Sequence, residues 1–423
     1  MISVEEALDK VLSQVSVLDK VRLPLLDCLG LVLAEDVSSP IDVPSLDNSA
    51  MDGFAVRAED TGGASPASPR TLAVIGEVAA GRVSQQEVVP GTAIRIMTGA
   101  PVPPGSDAVV QFEDTDEAER KQAGRGLVQV TVFRQVNPGL NIRLAGEDIA
   151  RGAVVLRQGT VLRPAHIGVL ASVGLSSAPV IRRPVVAVLA TGDELLQVGE
   201  AIEPGKIYNS NTYSIAAQVI RYGGIPKLMG IARDNKADLA QKLRAGLDAD
   251  LFITSGGVSA GDYDVVKDVL GEEGEIGFWK VRMKPGKPLA FGVLQGKGSN
   301  GKPRSVAHLG LPGYPVSSMV TFELFARPAI MKMQGKRDLA RPTVEAILED
   351  KVVNRDGRRV FLRAVVTRRN GQYYARLSGS QGSGILTAMA QANALAIVSE
   401  EVTEARPGDR VQAMMLDWEC PDS

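Results

Sequence analysis

Between residues 185 and 333, short apolar runs alternate with helical patterns, and this alternation constrains the fold more than any other feature of the chain. Apolar runs predict strands at 185–190, 225–232, 250–255, 277–283 and 305–310. Helical periodicity predicts helices at 210–222, 235–247, 262–272 and 315–333. Strands that alternate with helices form parallel sheets with right-handed crossovers. The sequence therefore predicts a doubly wound α/β domain with a parallel sheet.

The rest of the chain divides by other periodicities. Residues 3–20 have the apolar spacing of a helix, with Ser3 placed to cap its first turn. Period-2 runs between Gly and Pro breaks predict β structure at 71–143 and again after Arg341. We therefore expect a multi-domain α/β plus β protein, with N-terminal mixed and β domains and a C-terminal β domain. The predicted domains are a discontinuous mixed α/β domain at 1–50 and 144–182, an inserted β domain at 51–143, the α/β domain at 183–336 and the C-terminal β domain at 337–423.

Composition excludes several classes of protein. Lys and Arg number 47 and Asp and Glu 49, so the formal net charge of −2 creates no field that favours nucleic acid or an anionic membrane. Two cysteines and two isolated histidines argue against a disulfide framework and a structural zinc site. No apolar run approaches the roughly 18 residues of a membrane span, and the acidic N-terminus is unlike a secretory signal. We expect a cytoplasmic protein that binds neither nucleic acid nor membrane.

Polar segments follow the predicted strands, at the edge where open α/β sheets bind their ligands. The segments are Thr191-Gly192-Asp193-Glu194, Arg233-Asp234, Ser255-Gly256-Gly257-Val258-Ser259 with Gly261-Asp262-Tyr263-Asp264, Lys284-Pro285-Gly286-Lys287-Pro288, and Leu311-Pro312-Gly313-Tyr314-Pro315. A single loop of this kind is more often a plain turn or helix cap. Five of them on successive strand ends indicate a functional cleft.

The residue types in these loops indicate a phosphorylated substrate. The Ser255-Gly256-Gly257 turn leads into a predicted helix and offers backbone N–H groups to a phosphate. Lys284 and Lys287 add positive charge. Carboxylates are the ligands that Mg²⁺ uses together with water and substrate phosphates, and the candidates are Asp193, Glu194, Asp234, Asp262 and Asp264. Without a Cys or His nucleophile, this set is typical of phosphoanhydride chemistry. The patterns GxxxxGK(S/T) and GxGxxG are missing, which disfavours a P-loop NTPase and a dinucleotide dehydrogenase.

Strings along the whole chain resemble those of the MoeA family of molybdopterin molybdenumtransferases, to which the gephyrin E domain also belongs. The matching strings are DNSAMDGFAV, RIMTGAPVPPGSDAVV, NIRLAGEDI, ATGDEL, IYNSN, TSGGVSAGDYD, KPGKPLAFG, GLPGYPVSS and SGSQGSG. The resemblance implies a molybdopterin-binding α/β domain and insertion of molybdenum from molybdate into adenylylated molybdopterin, with Mg²⁺-dependent release of AMP. It also implies an elongated homodimer whose active site lies between the α/β domain of one subunit and the N-terminal domains of the other.

Carried over position by position, the resemblance predicts the residues of the site. The predicted catalytic residues are Asp52, Thr98, Asp148, Glu194, Asp234, Lys284 and Lys287. Those predicted to bind the substrate are Thr191, Gly192, Asp193, Ser255, Gly256, Gly257, Ser259, Asp262, Pro312, Gly313, Pro315 and Ser383. Glu194 and Asp264 are the predicted contacts of Mg²⁺. The small molecules are the expected binding partners, together with contacts to molybdopterin adenylyltransferase and to the molybdoenzymes that accept the cofactor.

Two positions depart from the family's pattern. Tyr314 stands where GLPGNP has Asn, and Ala260 stands where Val is usual. A tyrosine can donate through its hydroxyl or stack on a flat ring, so ligand affinity or substrate preference is in question at this loop. The sequence predicts the same site for molybdate and for tungstate, which are tetrahedral dianions of nearly equal size.

Two alternatives remain. One is molybdopterin adenylyltransferase, which shares the α/β domain but consists essentially of that domain alone. The other is a paralogue without turnover, which either binds the cofactor or acts as a scaffold; the gephyrin E domain, for example, binds the cytoplasmic segment of a receptor. The set of carboxylates and lysines in the cleft favours an enzyme.

Overall fold

The computed structural model describes residues 1–233, 235–257, 269–272, 274–297 and 303–417. The chain forms two compact units. Unit A comprises Met1–Arg22, Gly30–Ala34 and Pro179–Ser423, and unit B comprises Leu23–Leu29 and Glu35–Ala178. Among the residues that the structure describes, none of the helices is long and apolar enough to cross a membrane.

The helices are short, and several begin at a capping side chain. Among the described residues they are, in chain order, α1 (Val4–Ser13), α2 (Glu117–Gln122), α3 (Pro164–Ser172), α4 (Ser210–Arg221), α5 (Lys236–Ala245), α6 (Pro315–Thr321), α7 (Arg327–Met333) and α8 (Leu386–Gln391). The 3-10 turns are Leu25–Cys28, Ala58–Thr61 and Phe112–Asp114. Ser3 caps α1 by accepting a hydrogen bond from the Glu6 N–H at 3.0 Å, as the sequence predicts.

In both units, the described strands contain more residues than the described helices. They are β1 (Lys20–Pro24), β2 (Val37–Ser38), β3 (Asn48–Ser49), β4 (Gly53–Val56), β5 (Arg70–Val78), β6 (Thr92–Ile96), β7 (Ala108–Gln111), β8 (Gln129–Val132), β9 (Ile142–Arg143), β10 (Val154–Leu156), β11 (Ser177–Ile181), β12 (Val185–Thr191), β13 (Leu195–Leu196), β14 (Ile207–Tyr208), β15 (Ile225–Ala232), β16 (Leu251–Ser255), β17 (Gly274–Lys280), β18 (Met283–Lys284), β19 (Pro288–Lys297), β20 (Pro303–Leu311), β21 (Thr343–Leu348), β22 (Val352–Val353), β23 (Arg359–Arg369), β24 (Gln372–Leu377), β25 (Ala394–Val398), β26 (Glu404–Ala405) and β27 (Arg410–Met415).

The predicted α/β domain contains a six-stranded sheet in the order β15-β12-β16-β20-β19-β17. Pairs among β15, β12, β16 and β20 are parallel, as predicted. The prediction of an entirely parallel sheet is wrong at one edge, where β19 runs antiparallel to both of its neighbours. The physical reason is the connection at 281–287, which is too short for the dozen or more residues of a parallel crossover. Sequence reasoning missed β19 as a strand, and it extended β17 to residue 283.

The sheet is covered on both faces, which is why its central strands are mostly apolar. On β12, Val186 and Val188 belong to one hydrophobic cluster, which also contains Val219 of α4 and Ala7 of α1. The alternate residues Ala187 and Leu189 belong to a second cluster, which contains Leu239 and Leu243 of α5. A strand sends successive side chains to opposite faces, so helices cover both sides. The doubly wound α/β fold is confirmed.

Unit A also contains a closed β structure at its C-terminal end. Its sheet has the order β18-β23-β24-β21-β27-β25, and an additional pairing of β23 with β25 closes the ring. The enclosed cluster includes Leu348, Ala364 and Val366. Strand β18 joins this sheet in parallel to β23, with Lys284 opposite Val360. The C-terminal β structure predicted from the sequence is confirmed. Because β18 contains Lys284, part of the predicted lysine loop pairs with this sheet.

The helical pattern at 315–333 is continuous but not uniform. Between α6 and α7, residues Phe322–Ala326 form a π turn. Within that turn the Glu323 carboxylate pairs with Arg341 at 2.7 Å and accepts hydrogen bonds from Tyr222 and Gln218. Single π turns of this kind are rare and occur mostly inside α-helices.

Unit B is built on a five-stranded sheet in the order β7-β4-β6-β5-β8. Its strand β4 is buried on both faces, with Phe54 and Val56 in one cluster and Ala55 in the other. Beside it lie the two-stranded pairs of β3 with β9 and of β2 with β10. Of the four strands in these pairs, only β9 lies in the region 71–143 where period-2 runs predict β structure, and β2, β3 and β10 lie in the parts predicted to form the mixed α/β domain.

Candidate functional site

The carboxyl ends of the strands in unit A bring the predicted loops to one edge of the sheet. In the register, Ala190 of β12 lies opposite Ser255 of β16, which lies opposite Leu311 of β20. Strand β17 points the same way as β20 because β19 is antiparallel to both, and Lys280 lies opposite Pro288. The loop with the two lysines therefore begins at the same edge as the loops that follow β12, β16 and β20.

Glycines allow three of these loops to approach each other closely. Gly256 has φ +102°, and a Cβ on it would lie 2.7 Å from the carbonyl oxygen of Thr191. Its N–H donates to the Leu311 carbonyl at 3.1 Å, so this N–H is already engaged and is not available to a phosphate. A Cβ on Gly313 would lie 3.6 Å from Cα of Gly256. Ser255, Thr191 and Pro312 are buried, whereas Gly313 is exposed.

Asn211 connects two of the loops, and sequence reasoning assigned it no role. It lies in the first turn of α4, where its Nδ2 donates to Ser255 Oγ at 2.7 Å and to the Gly313 carbonyl at 2.8 Å. Its Oδ1 is buried and has no hydrogen-bond partner among the described residues. The available signal was the IYNSN string, in which Asn209 caps the helix and Asn211 faces inward.

The loop after β12 presents the predicted carboxylate. Gly192 has φ +144°, a conformation that residues with a side chain rarely adopt, and its Cα lies so close to the Glu194 carboxylate that an added Cβ would be 2.3 Å from it. The Glu194 side chain is exposed. The backbone around it is fixed, because the Ile207 N–H donates to the Glu194 carbonyl at 2.9 Å and Lys206 Nζ donates to the Asp193 carbonyl at 2.7 Å.

Both predicted lysines are exposed and stand on a tightly packed turn. Between them, Gly286 has φ +99°, and a Cβ on it would lie 2.5 Å from Thr321 Oγ1 of α6. Lys284 Nζ lies 3.5 Å from the Asp356 carboxylate. A hydrogen bond from Arg358 and the charge of Lys284 lower the pKa of Asp356. The turn thus holds two cations at the sheet edge.

A buried cation lies beneath the SGSQGSG loop, and sequence reasoning missed it. Arg363 of β23 is 1% exposed, and its guanidinium donates to the carbonyls of Ser380 at 3.2 Å and Gly382 at 3.1 Å. No carboxylate in the described part of the chain pairs with it, and burial lowers its pKa. The loop is tied to α6, because the Val316 N–H donates to the Ser383 carbonyl at 3.0 Å. A lone arginine in the apolar run FLRAVV was the available signal.

In unit B, two of the predicted residues contact each other. The Asp52 carboxylate accepts hydrogen bonds from the Thr98 N–H at 2.6 Å and from its hydroxyl at 2.8 Å, and both bonds lower the pKa of Asp52. The surrounding strings also meet, since the Gly99 N–H donates to Ser49 and the Ala50 N–H to Asn141. Asp148 is exposed in the same unit, and its N–H donates to the Val43 carbonyl.

The donors that the structure describes suit Mg²⁺ better than a closed metal cage. No group of three or more His, Cys, Asp or Glu among the described residues could hold a metal ion. Glu194 offers one exposed carboxylate at the same edge of the sheet as the two lysines. Mg²⁺ takes one or two carboxylates and completes its shell with water and substrate phosphates, so this donor set fits it. The predicted residues Asp234, Ser259, Asp262 and Asp264 lie outside the described part of the chain.

Regions similar to known proteins cover nearly the whole chain. Residues 2–174 match the MoeA N-terminal region (domain I and II), 187–332 a probable molybdopterin binding domain, and 345–416 the MoeA C-terminal region (domain IV). The chain is 41% identical to molybdopterin molybdenumtransferase 2 of Mycobacterium tuberculosis, over 94% of this chain and 95% of that protein. It is 36% identical to molybdopterin molybdenumtransferase of Haemophilus influenzae, over 97% of this chain and 98% of the relative.

Solved structures agree with the sequence relatives. The crystal structure of the molybdopterin biosynthesis MoeA protein from Pyrococcus horikosii superposes with a TM-score of 0.82 at 33% identity, over 99% of both chains. A second structure, from Pyrococcus horikoshii OT3, gives a TM-score of 0.76 at 32% identity, over 98% of this chain and all of the other. With sequence and fold similar from end to end, the chain belongs to the MoeA family of molybdopterin molybdenumtransferases.

Proposed function

We propose that this protein is a transferase of molybdenum cofactor biosynthesis that inserts molybdenum from molybdate into adenylylated molybdopterin and releases AMP. The observation that carries the proposal is the edge of the α/β sheet, where a carboxylate and two lysines stand on glycine-dependent turns. This edge lies in the part of the chain that matches a probable molybdopterin binding domain. Relatives that resemble the chain over almost its whole length are named molybdopterin molybdenumtransferases.

In the proposed reaction, the loops of unit A bind and orient the substrate. The Ser255-Gly256-Gly257 turn and Thr191 form the floor of the site, and Asn211 holds Ser255 and Gly313 at hydrogen-bond distance. Lys284 and Lys287 balance the negative charge of the phosphoanhydride and of the AMP that leaves. Glu194 and Asp264 are the residues that would hold Mg²⁺. When bound, Mg²⁺ polarises the phosphate and stabilises the charge that develops on the leaving group.

The position proposed for molybdate is the SGSQGSG loop. Arg363 supplies a buried positive charge that the described carboxylates do not neutralise, and such a charge favours a nearby oxyanion. Lys284 lies on β18, which pairs with the strand that carries Arg363. Ser383 belongs to the same loop and offers a hydroxyl. The buried charge, the strand pairing and the hydroxyl together support a dianion between the lysine turn and this loop.

The remaining parts of the proposal concern organisation. We propose the domain boundaries given by the sequence periodicities and a homodimer whose active site is shared between subunits, in which Asp52, Thr98 and Asp148 contribute to catalysis. Contacts with molybdopterin adenylyltransferase and with acceptor molybdoenzymes, and a cytoplasmic location, belong to the same proposal. The hydrogen bonds that keep the Asp52 carboxylate ionised support a role for it as a fixed negative charge.

Release of AMP from adenylylated molybdopterin tests the function. The purified protein is incubated with Mg²⁺, with and without molybdate, beside the variants Glu194→Ala and Glu203→Ala. We expect molybdate-dependent release that Glu194→Ala reduces about 100-fold, because it removes a proposed ligand of the Mg²⁺ that would stabilise the leaving group. Glu203 is an exposed carboxylate in the following segment, and its removal should leave the rate unchanged.

Other outcomes would identify the alternatives. Tight binding of the substrate without release of AMP would indicate a carrier or scaffold. Formation of adenylylated molybdopterin from molybdopterin and ATP would indicate an adenylyltransferase. Equal losses in the two variants would remove Glu194 from the proposed site.

A further inference from the structure

Tyr314 projects an aromatic side chain into solvent from the loop that follows β20. Its exposed fraction is 66%, whereas aromatic side chains usually bury most of their surface. The residue lies at the carboxyl edge of the sheet, next to Gly313, whose carbonyl is bound by Asn211. An exposed ring at a ligand-binding edge calls for an explanation beyond the stability of the fold.

The backbone that carries the ring is held on both sides. Tyr314 is the N-cap residue of α6 with φ −70° and ψ 130°, and its carbonyl accepts a hydrogen bond from the Ser318 N–H at 2.9 Å. Pro315 follows at the first position of the helix. Together with the Asn211 bond to Gly313, these contacts fix the position from which the ring projects. The backbone of Tyr314 is therefore pre-positioned, and a ligand would not have to order it.

The Gly-rich SGSQGSG loop lies beside the ring and leaves it uncovered. A Cβ added to Gly384 would lie 3.9 Å from Cδ1 of Tyr314, so the loop borders the ring with a residue that has no side chain. The bond from Val316 N–H to the Ser383 carbonyl ties this loop to the same helix. No residue in the described ranges forms a hydrogen bond with the Tyr314 hydroxyl. The ring thus offers a free aromatic surface between two anchored loops.

We propose that Tyr314 determines substrate affinity by stacking its ring on a planar nitrogen heterocycle. The proposal rests on the proposed function, in which the substrate carries two such heterocycles, the pterin and the adenine. An aromatic ring stacked on a base strengthens binding about 5- to 100-fold in alanine substitutions. The asparagine of the usual GLPGNP string has no aromatic face, so this contact is specific to chains with an aromatic residue at this position. Lys284 and Lys287, on a turn at the same sheet edge, suit the phosphate that joins the two heterocycles.

Substitutions at position 314 separate the ring from its hydroxyl and from its bulk. The variants are Tyr314→Phe, which keeps the ring, and Tyr314→Leu, which keeps an apolar side chain without a π face. The matched control is Tyr374→Leu on β24, where the ring lies under the Arg369 guanidinium at 4.2 Å. A third variant at this position is Tyr314→Asn. Because Tyr314 is exposed and makes no described hydrogen bond through its side chain, we expect all three variants to unfold at the same temperature as the wild type.

Binding is measured with two probes, AMP and molybdopterin, by calorimetry on the full-length protein. We expect Tyr314→Phe to bind within about twofold of wild type, and Tyr314→Leu and Tyr314→Asn to bind about tenfold more weakly. For AMP, proton NMR adds a direct readout, since a stacked tyrosine shifts the adenine protons upfield and leucine does not. Tyr374→Leu should change neither measurement.

The two probes identify the ring that stacks. A loss confined to AMP assigns the contact to adenine, and a loss confined to molybdopterin assigns it to the pterin; either result supports the proposal. Wild-type affinity for both probes in Tyr314→Leu would overturn it, as would an equal loss in Tyr314→Phe or a wild type that binds neither probe. The AMP-release assay is scored separately, so a protein that binds through Tyr314 but releases no AMP would refute the proposed function alone.

Discussion

Asp250 has a buried carboxylate that joins two arginines at the start of the central sheet. Its side chain is 3% exposed and accepts hydrogen bonds from Arg182 at 2.6 and 2.7 Å, from Arg304 at 2.6 Å and from the Val185 N–H at 2.9 Å. Burial by itself would raise the pKa of Asp250, but the hydrogen bonds and charges of the arginines outweigh it and lower the pKa below the usual 3.8. The ionised carboxylate therefore stabilises the folded state.

Replacing this carboxylate should destabilise the protein in a pH-dependent way. We expect Asp250→Asn to lower the free energy of unfolding by about 2–3 kcal/mol near pH 7, less than for a fully buried pair because both arginines are partly exposed. A lowered pKa stabilises the fold above the unfolded value of 3.8, and this contribution is lost as the pH falls through the folded pKa. Denaturant unfolding between pH 7 and pH 3 should show the difference from wild type narrowing below about pH 4.

A neighbouring carboxylate, Asp248, provides the control for the Asp250→Asn substitution. Asp248 is 63% exposed and pairs with Lys227 at 2.6 Å, so Asp248→Asn should cost less than about 1 kcal/mol. Equal effects of the two substitutions, or a difference from wild type that does not change with pH, would contradict the role given to Asp250.

Single residues also show what the sequence could and could not predict about the site. Glu194, Lys284 and Lys287 follow predicted strands, so the strand prediction alone places them at the edge of the sheet. Asn211 lies inside a helix and Arg363 inside a strand, where periodicity assigns them to a face but not to a partner. Asn211 contacts Gly313, about 100 positions further along the chain, and Arg363 contacts Gly382, about 20 positions further along. These contacts exist only in the folded chain.

At the scale of elements, the turn after β16 depends on a glycine with little space around it. We expect Gly256→Ala to lower both stability and affinity for AMP, because its Cβ would lie 2.7 Å from the Thr191 carbonyl and φ is +102°. Gly408→Ala is the matched control, since Gly408 has φ +97° but nothing within 4 Å of an added Cβ. The control should lose only the backbone cost of about 1–2 kcal/mol and bind normally. Thermal unfolding and calorimetry measure both effects, and equal losses would argue against a tight turn.

The sequence predicts an element well where its apolar pattern and its length both fit the same type of secondary structure. Strands β12, β15, β16 and β20 and helices α4 and α5 were predicted near their observed bounds. The apolar pattern reflects burial in all of them except the edge strand β15, where Ile225 and Leu228 are exposed. Strand β19 was missed since Gly292 and Gly296 interrupt its apolar run, and Gly292 faces the Glu275 carbonyl of β17 so closely that a Cβ would lie 2.0 Å from it. The antiparallel direction of β19 follows from the short connection at 281–287, and apolar periodicity gives no information about strand direction.

At the scale of the whole molecule, each compact unit has hydrophobic clusters of its own. In unit B, Ile94 of β6 is fully buried in a cluster with Val78 and Val109. In unit A, Ile253 of β16 is fully buried in a cluster with Val188 and Leu309. Stability in a protein with separate cores is distributed among cooperative segments that can open at different free energies. Composition and periodicity anticipated several cores, but the division into two units depends on which distant segments pack together.

Matched substitutions in the two cores test this division. Ile94→Ala and Ile253→Ala each remove the same atoms from a fully buried site and should each cost about 2–5 kcal/mol locally. We expect Ile94→Ala to accelerate amide hydrogen exchange within 35–178 and to leave 179–417 unchanged, and Ile253→Ala to do the reverse, because each cavity weakens only the cluster that surrounds it. Peptide-resolved exchange followed by mass spectrometry gives this readout. If either substitution accelerated exchange equally in both segments, the two units would open as one cooperative structure.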